Sequence, residues 1–216
     1  MMAAQYFVTG TDTGVGKTVV SALLCAALDA SFWKPIQTGT NTDSDSATVA
    51  QLAELPPERI FAEAYRFAPP VSPHLAAREA RAKISLSKIS IPVGARDSAL
   101  IVEGAGGVLV PVNDTQYMRD VMRELGLPII VAARNSLGTI NHTLLTLAAL
   151  RASRLRVAGV VLNGESNGGN RESIERYGNV RVIGEIPRMA RIDRAALLEI
   201  FSKHFDGAAF SAAAYA

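Results

Sequence analysis

The fold turns on Gln5-Tyr6-Phe7-Val8-Thr9-Gly10-Thr11-Asp12-Thr13-Gly14-Val15-Gly16-Lys17-Thr18. Gln5–Thr9 is a short β-type run, and Lys17–Leu28 is rich in leucine and alanine and predicts a helix. A glycine-rich turn between strand and helix directs successive backbone N–H groups toward phosphate oxygens. In that setting Lys17 neutralises β- and γ-phosphates and the Thr18 hydroxyl joins a Mg²⁺ ion. The usual pattern has a glycine where this chain has Thr11, with Gly10 one residue earlier, so the loop is a variant. A chance turn before a helix is the alternative. The coincidence of strand, turn, Gly-Lys-Thr and helix favours a nucleotide.

Outward from the loop, β-type runs recur at Phe32–Lys34, Ala99–Glu103, Pro128–Ala133, Val157–Leu162 and Val180–Glu185. Several are apolar without a two-residue period, as strands covered on both faces are. Helical stretches alternate with them: Tyr117–Leu125 after a cap at Asp114 or Thr115, Thr139–Arg154, and about Asp193 to Lys203. On the second of these, Ile140, Leu144, Leu147 and Arg151 fall on one stripe suited to core packing. The pattern predicts an α/β fold with a doubly wound, mostly parallel sheet flanked by helices, in one domain spanning 1–216. Residues 35–97, punctuated by prolines, read as a substrate-side elaboration, and residues 207–216 have no clear period.

With 216 residues the chain can bury roughly 70% of its unfolded surface without a disulfide or metal staple. Apolar residues make up 49% and charged residues 19%, which excludes a disordered or fibrous protein. The net charge of +2 is scattered rather than run together, so no nucleic-acid partner is expected. No apolar run approaches the roughly 18 residues that cross a bilayer, and Met1 to Phe7 lacks a leader pattern, so a cytoplasmic protein with no membrane partner is expected. Cys25, alone in an apolar helical stretch, reads as a core residue.

Other residues converge on the crevice at the strands' carboxyl ends. Glu103, at the end of its strand and followed by glycines, is placed to see the metal. Lys34 ends the second strand beside the turn carrying Thr38, where a second cation would stabilise transferring phosphoryl charge; a solvated surface lysine is the alternative. Asp43 and Asp45 precede a short helix, and either could cap it or reach a metal. Asn163-Gly164 could read a base edge or simply form a turn. His74 and His142 have no partners at ligand spacing, so histidine metal binding is not expected.

Taken together, Gly10–Thr18, Lys34-Pro-Ile-Gln-Thr-Gly39, Ser72-Pro-His74, Val102-Glu-Gly-Ala-Gly-Gly107, Gly138-Thr-Ile-Asn-His142 and Gly184-Glu-Ile-Pro187 resemble the dethiobiotin synthetase family, in the family's order. The resemblance implies a P-loop NTPase-like fold and a ligase of biotin biosynthesis that closes a cyclic urea on 7,8-diaminopelargonic acid with CO₂ or bicarbonate, ATP and Mg²⁺. A carbamate and a carbamic-phosphoric anhydride are the implied intermediates. It assigns Thr13, Lys17 and Lys34 to catalysis, and Thr18, Asp45 and Glu103 to the metal, preferring Asp45 to Asp43. It assigns Gly14, Val15, Gly16, Lys17, Thr18, Val19, Gly104, Ala105, Gly106, Asn163, Pro187, Arg188 and Met189 to the nucleotide, with Asn163 reading adenine. Thr38 falls beside the diamine. Gly138, Ile140 and Asn141, at a helix start, receive the substrate carboxylate from the partner of a homodimer. Two positions depart: Gly14 stands where some members carry Glu, and Arg188 where some carry Trp.

A partitioning-type ATPase switch shares this broad fold, but its loop carries an early signature lysine where this chain has Asp12. A glutamine-dependent amidotransferase of cobyrinic-acid type would need a glutaminase region for which the chain has no room.

Overall fold

The computed structural model describes residues 4–41 and 44–210. Its frame is a wholly parallel sheet of seven strands among the described residues: β1 (Gln5–Gly10), β2 (Ser31–Trp33), β4 (Ile60–Phe61), β6 (Leu100–Gly107), β7 (Ile129–Arg134), β8 (Val157–Asn163) and β9 (Val182–Ile186). They lie in the order β4-β2-β6-β1-β7-β8-β9, and β3 (Ile36–Gln37) pairs with β5 (Tyr65–Arg66) in a separate parallel ribbon. The chain leaves β1 toward one edge, returns in β6 to its flank, and then builds the other half from β7 onward. That reversal opens a crevice at the carboxyl ends beside β1, which is where the phosphate loop begins.

Side-chain alternation along the strands feeds two cores. Tyr6, Val8, Phe32, Ile101, Ile130, Ala132, Val161 and Ile183 belong to one, with residues of α1 (Lys17–Ala27), α2 (Asp45–Ala53) and α7 (Arg194–His204). Phe7, Trp33, Leu100, Val102, Ile129, Val131, Ala133, Val160, Leu162 and Val182 belong to the other. That second core also takes in α3 (Pro73–Glu79), α4 (Met118–Leu125), α5 (Thr139–Ala152) and α6 (Gly168–Gly178). Because every central strand is covered on both sides, its sequence shows no polar face. Cys25 is buried in the first core, where desolvation pushes its thiol pKa up.

Several sequence expectations need correction. β6 continues through Gly107, which pairs with Gly10, so Glu103 lies within the strand and not at its end. Neither Asp114 nor Thr115 caps α4; its N-cap is Tyr117, whose N–H donates to Asp120 Oδ2 at 2.8 Å. On α5 the fully buried positions are Thr139, Thr143, Leu147 and Leu150, while Ile140 and Leu144 are only partly covered. The cap of α2 is Ser44 rather than an aspartate among the described residues; Asp43 lies outside them. α6 is a helix that the sequence pattern does not predict, and within residues 35–97 β4 joins the main sheet. Gly207–Phe210 forms a short 3-10 turn burying Ala209 and Phe210, and the rest of the tail lies outside the described residues. No helix among the described residues is long and apolar enough to cross a membrane.

Gly184 in β9 carries the flat of an aromatic ring. A Cβ there would stand 2.4 Å from Cδ1 and Cε1 of Phe205, which packs with Phe201 and Phe210. Gly184→Ala is therefore expected to destabilise the fold by about 1–3 kcal/mol through overpacking, read as a lower urea midpoint with an unchanged slope.

Candidate active site

The crevice is a cavity of about 580 Å³ with the phosphate loop on one wall and the β3 turn and the start of α3 on the other. Gly16 takes φ +93 as α1 begins, so the chain can turn sharply enough to aim the helix start into the cavity. Contacts within the protein brace the loop. Lys17 Nζ donates to Asp12 O at 3.1 Å, and the Asp12 carboxylate accepts from the Thr13 N–H at 2.7 Å. Arg134, at the end of β7, pairs with Asp12 at 3.4 Å.

Two lysines and two carboxylates meet on the cavity floor. Lys34 Nζ lies 2.7 Å from Asp45 Oδ2 and 2.8 Å from Glu103 Oε1, and it is 4% exposed, which rules out the solvated surface lysine. The Thr18 hydroxyl donates to Asp45 Oδ1 at 2.8 Å and lies 3.3 Å from Glu103 Oε1; Ser21 Oγ donates to Glu103 Oε2 at 2.7 Å. Burial opposes charge on Lys34, but the charges of Glu103 and Asp45 and hydrogen bonds to both outweigh it and hold its pKa above the ordinary lysine value. Burial likewise works to raise the Asp45 pKa. The Lys34 charge and hydrogen bonds from Lys34, Thr18 and Gln37 overcome it, leaving that pKa below the usual carboxylate range. For Lys17 burial prevails: together with the like charge of Lys34 it lowers the pKa despite Glu103, Asp45 and Asp12.

Thr18, Asp45 and Glu103 present a hydroxyl and two carboxylates, an all-oxygen set suited to a hard divalent cation such as Mg²⁺. Among the described residues no group of three or more His, Cys, Asp or Glu could hold a metal by itself. His74 Nδ1 instead meets Ser72 Oγ at 3.1 Å.

The cavity gathers Thr13, Gly14, Gly16, Lys17, Thr18, Lys34, Thr38, Asp45, Glu103, Ala105 and Gly106 from the expected set. Val15 is buried and Val19 half-buried behind the loop, and Gly104 packs where a Cβ would meet the Phe7 ring at 2.8 Å. Asn163, ending β8, donates from Nδ2 to Val15 O at 3.1 Å and so touches the loop from beneath, while Gly164 turns the chain at φ +132. Pro187, Arg188 and Met189 follow β9 outside the cavity; Arg188 is exposed, 3.9 Å from Glu165. Gly138, Ile140 and Asn141 also lie outside it, at the start of α5, which no side chain caps. At Gly14 a side chain would meet open space, but φ is +70.

Ser21, Gln37 and Arg134 also belong to the site, although the sequence alone does not single them out. Ser21 had a signal: it stands one helical turn after Lys17 on an otherwise apolar helix, so it shares that residue's face.

A family model described as an AAA domain matches residues 4–196. The ATP-dependent dethiobiotin synthetase BioD of Paramagnetospirillum magneticum is 49% identical over 191 residues, covering 88% of this chain and 91% of that protein. The chain belongs to the dethiobiotin synthetase family. The BioD of Agrobacterium fabrum is 44% identical over 97% of this chain and 98% of its own length. The biotin biosynthesis bifunctional protein BioCD of Bordetella avium is 49% identical over 91% of this chain, which spans only 42% of that longer relative. Two solved structures share the fold alone. A ParA family ATPase from Chlorobium tepidum has TM-score 0.55 at 14% identity, covering 92% of this chain and 90% of that one. The MinC:MinD complex of Aquifex aeolicus gives 0.54 at 15%, covering 91% and 86%. Of the six motifs that resemble dethiobiotin synthetases, four contribute to the cavity; those at Gly138 and Gly184 lie away from it.

Proposed function

We propose that the chain uses ATP to close a cyclic urea on 7,8-diaminopelargonic acid with CO₂, giving dethiobiotin, ADP and phosphate, with Mg²⁺ as the metal. The observation that carries this reading is the buried pairing of Lys34 with Asp45 and Glu103 beside Thr18 and Lys17, within a chain 49% identical to a BioD. Magnesium, held by Thr18, Asp45 and Glu103, would supply Lewis-acid neutralisation of phosphate oxygens.

One amine of the substrate adds to CO₂ and loses a proton, forming a carbamate. A carbamate is a poor electrophile. Transfer of the γ-phosphoryl group to its oxygen releases ADP and gives a mixed anhydride. The second amine then attacks the carbonyl carbon, the C–O bond to phosphate breaks, and the ring closes with loss of a proton. Lys17 and the loop N–H groups neutralise and orient the phosphates, with Thr13 beside them. Lys34, carrying its proton, stabilises negative charge on the carbamate and transferring phosphoryl oxygens. Asn163 and residues 187–189 form the adenine side.

The diamine lies by Thr38, and its carboxylate meets the start of α5, Gly138 to Asn141, of a second copy. Two features support that arrangement: α5 opens without a side-chain cap, and Leu137 and Leu145 beside it are exposed. Purified protein given Mg-ATP, bicarbonate and the diamine is expected to yield dethiobiotin by mass together with equimolar phosphate. ATP hydrolysis indifferent to the diamine, with no cyclic urea, would sink the reading.

A further inference from the structure

We infer that Gln37 is a positioning residue that ties the diamine side of the cleft, at Thr38, to the metal carboxylate Asp45. The inference rests on the proposed function for the identity of those two subsites. Gln37 closes the two-residue strand β3, is 3% exposed, and lines the cavity. Its Oε1 accepts the Asp45 backbone N–H at 3.2 Å, and its Nε2 donates to Thr38 O at 2.7 Å. An N–H can only donate and a carbonyl can only accept, so these partners fix which way the amide points.

Asp45 is the first residue of α2, where backbone N–H groups have no partner within the helix. Ser44 accepts from Ala47, and Gln37 takes the N–H of Asp45 itself. The glutamine backbone is anchored in turn, its carbonyl accepting from Phe67 at 2.9 Å. One buried amide therefore joins the Thr38 turn to the helix end that aims the Asp45 carboxylate at Lys34 and Thr18. Displacement of Thr38 by an entering diamine is transmitted to Asp45 through this amide, so diamine and divalent cation bind with coupled affinities.

Gln37→Met keeps length and volume but makes neither bond. Groups that orient a metal's ligands typically contribute 10–100-fold in metal affinity. With the full chain and a non-hydrolysable ATP analogue, Mn²⁺ titration followed by electron paramagnetic resonance is expected to show about tenfold weaker binding in Gln37→Met. In wild type, diamine should tighten Mn²⁺ binding; in the variant that response should be lost, while ATP-analogue affinity and the melting temperature change little. Unchanged Mn²⁺ binding in Gln37→Met overturns the inference, as does a parallel loss of Mn²⁺ affinity, nucleotide affinity and melting temperature. Because Mn²⁺ binding without diamine is measured separately from product formation, failure to make dethiobiotin would count against the proposed function and leave the Asp45 half of the inference tested on its own.

Discussion

Lys34→Met is expected to lower turnover about 10²–10³-fold, the scale for removing one preorganised group that stabilises developing negative charge, and to destabilise the metal-free protein as well. The Lys34 ammonium bridges two carboxylates at 2.7 and 2.8 Å, one of them almost wholly buried. Removing the cation leaves Asp45 and Glu103 facing each other with Thr18, Ser21 and Lys17 as their remaining support. Breaking a buried pair from one side costs about 3–5 kcal/mol. A divalent cation re-pairs the same oxygens, so the stability deficit should shrink when Mg²⁺ is added to the variant. Urea unfolding with EDTA and with Mg²⁺, beside steady-state rates, checks both halves. Near-normal turnover would remove Lys34 from the chemistry; an equal deficit with and without Mg²⁺ would show that the metal does not use these carboxylates.

The parts of this site legible in the sequence are those whose residue type and spacing are dictated by the ligand. Phosphate needs glycines, a lysine and a hydroxyl in a fixed run, so Gly14, Gly16, Lys17 and Thr18 announce themselves, and a doubly covered parallel strand needs the unbroken apolar runs of β7 and β8. What stayed hidden is set by tertiary partners. Glycines 104, 106 and 107 read as loop, yet after a shift of register Gly107 pairs with Gly10 and extends β6. α6 is diluted by Gly168, Gly169 and Gly178 and exists through its Asn167 cap, the buried Ile174 and the bond from Arg171 to Glu185. β3 and β5 are too short to carry a period, which concealed the setting of Gln37. Asp45 could be preferred to Asp43 only by resemblance, because either carboxylate before α2 satisfies the local chemistry.

Gly16→Ala is the second large effect expected, and it separates the loop's backbone from its side chains. At φ +93 a residue with a Cβ sits in the left-handed region at a cost of about 1–2 kcal/mol. The new methyl would also stand 1.9 Å from Asn163 Nδ2 and 2.9 Å from its Cγ, so the amide must leave and its bond to Val15 O breaks. If the loop relaxes instead, its N–H groups turn away from the phosphates. A hydrogen bond to a charged group is worth roughly 1.5–3 kcal/mol, so losing one or two weakens ATP by about a hundredfold. Calorimetric titration with an ATP analogue measures this. Adding Asn163→Ala removes the clash but not the left-handed strain, so the double variant should regain only part of the affinity, and GTP should gain more than ATP because the adenine-side amide is gone. Full recovery in the double variant would mean that the methyl acts through Asn163 alone. Wild-type affinity in Gly16→Ala would mean that this turn does not cradle the phosphates.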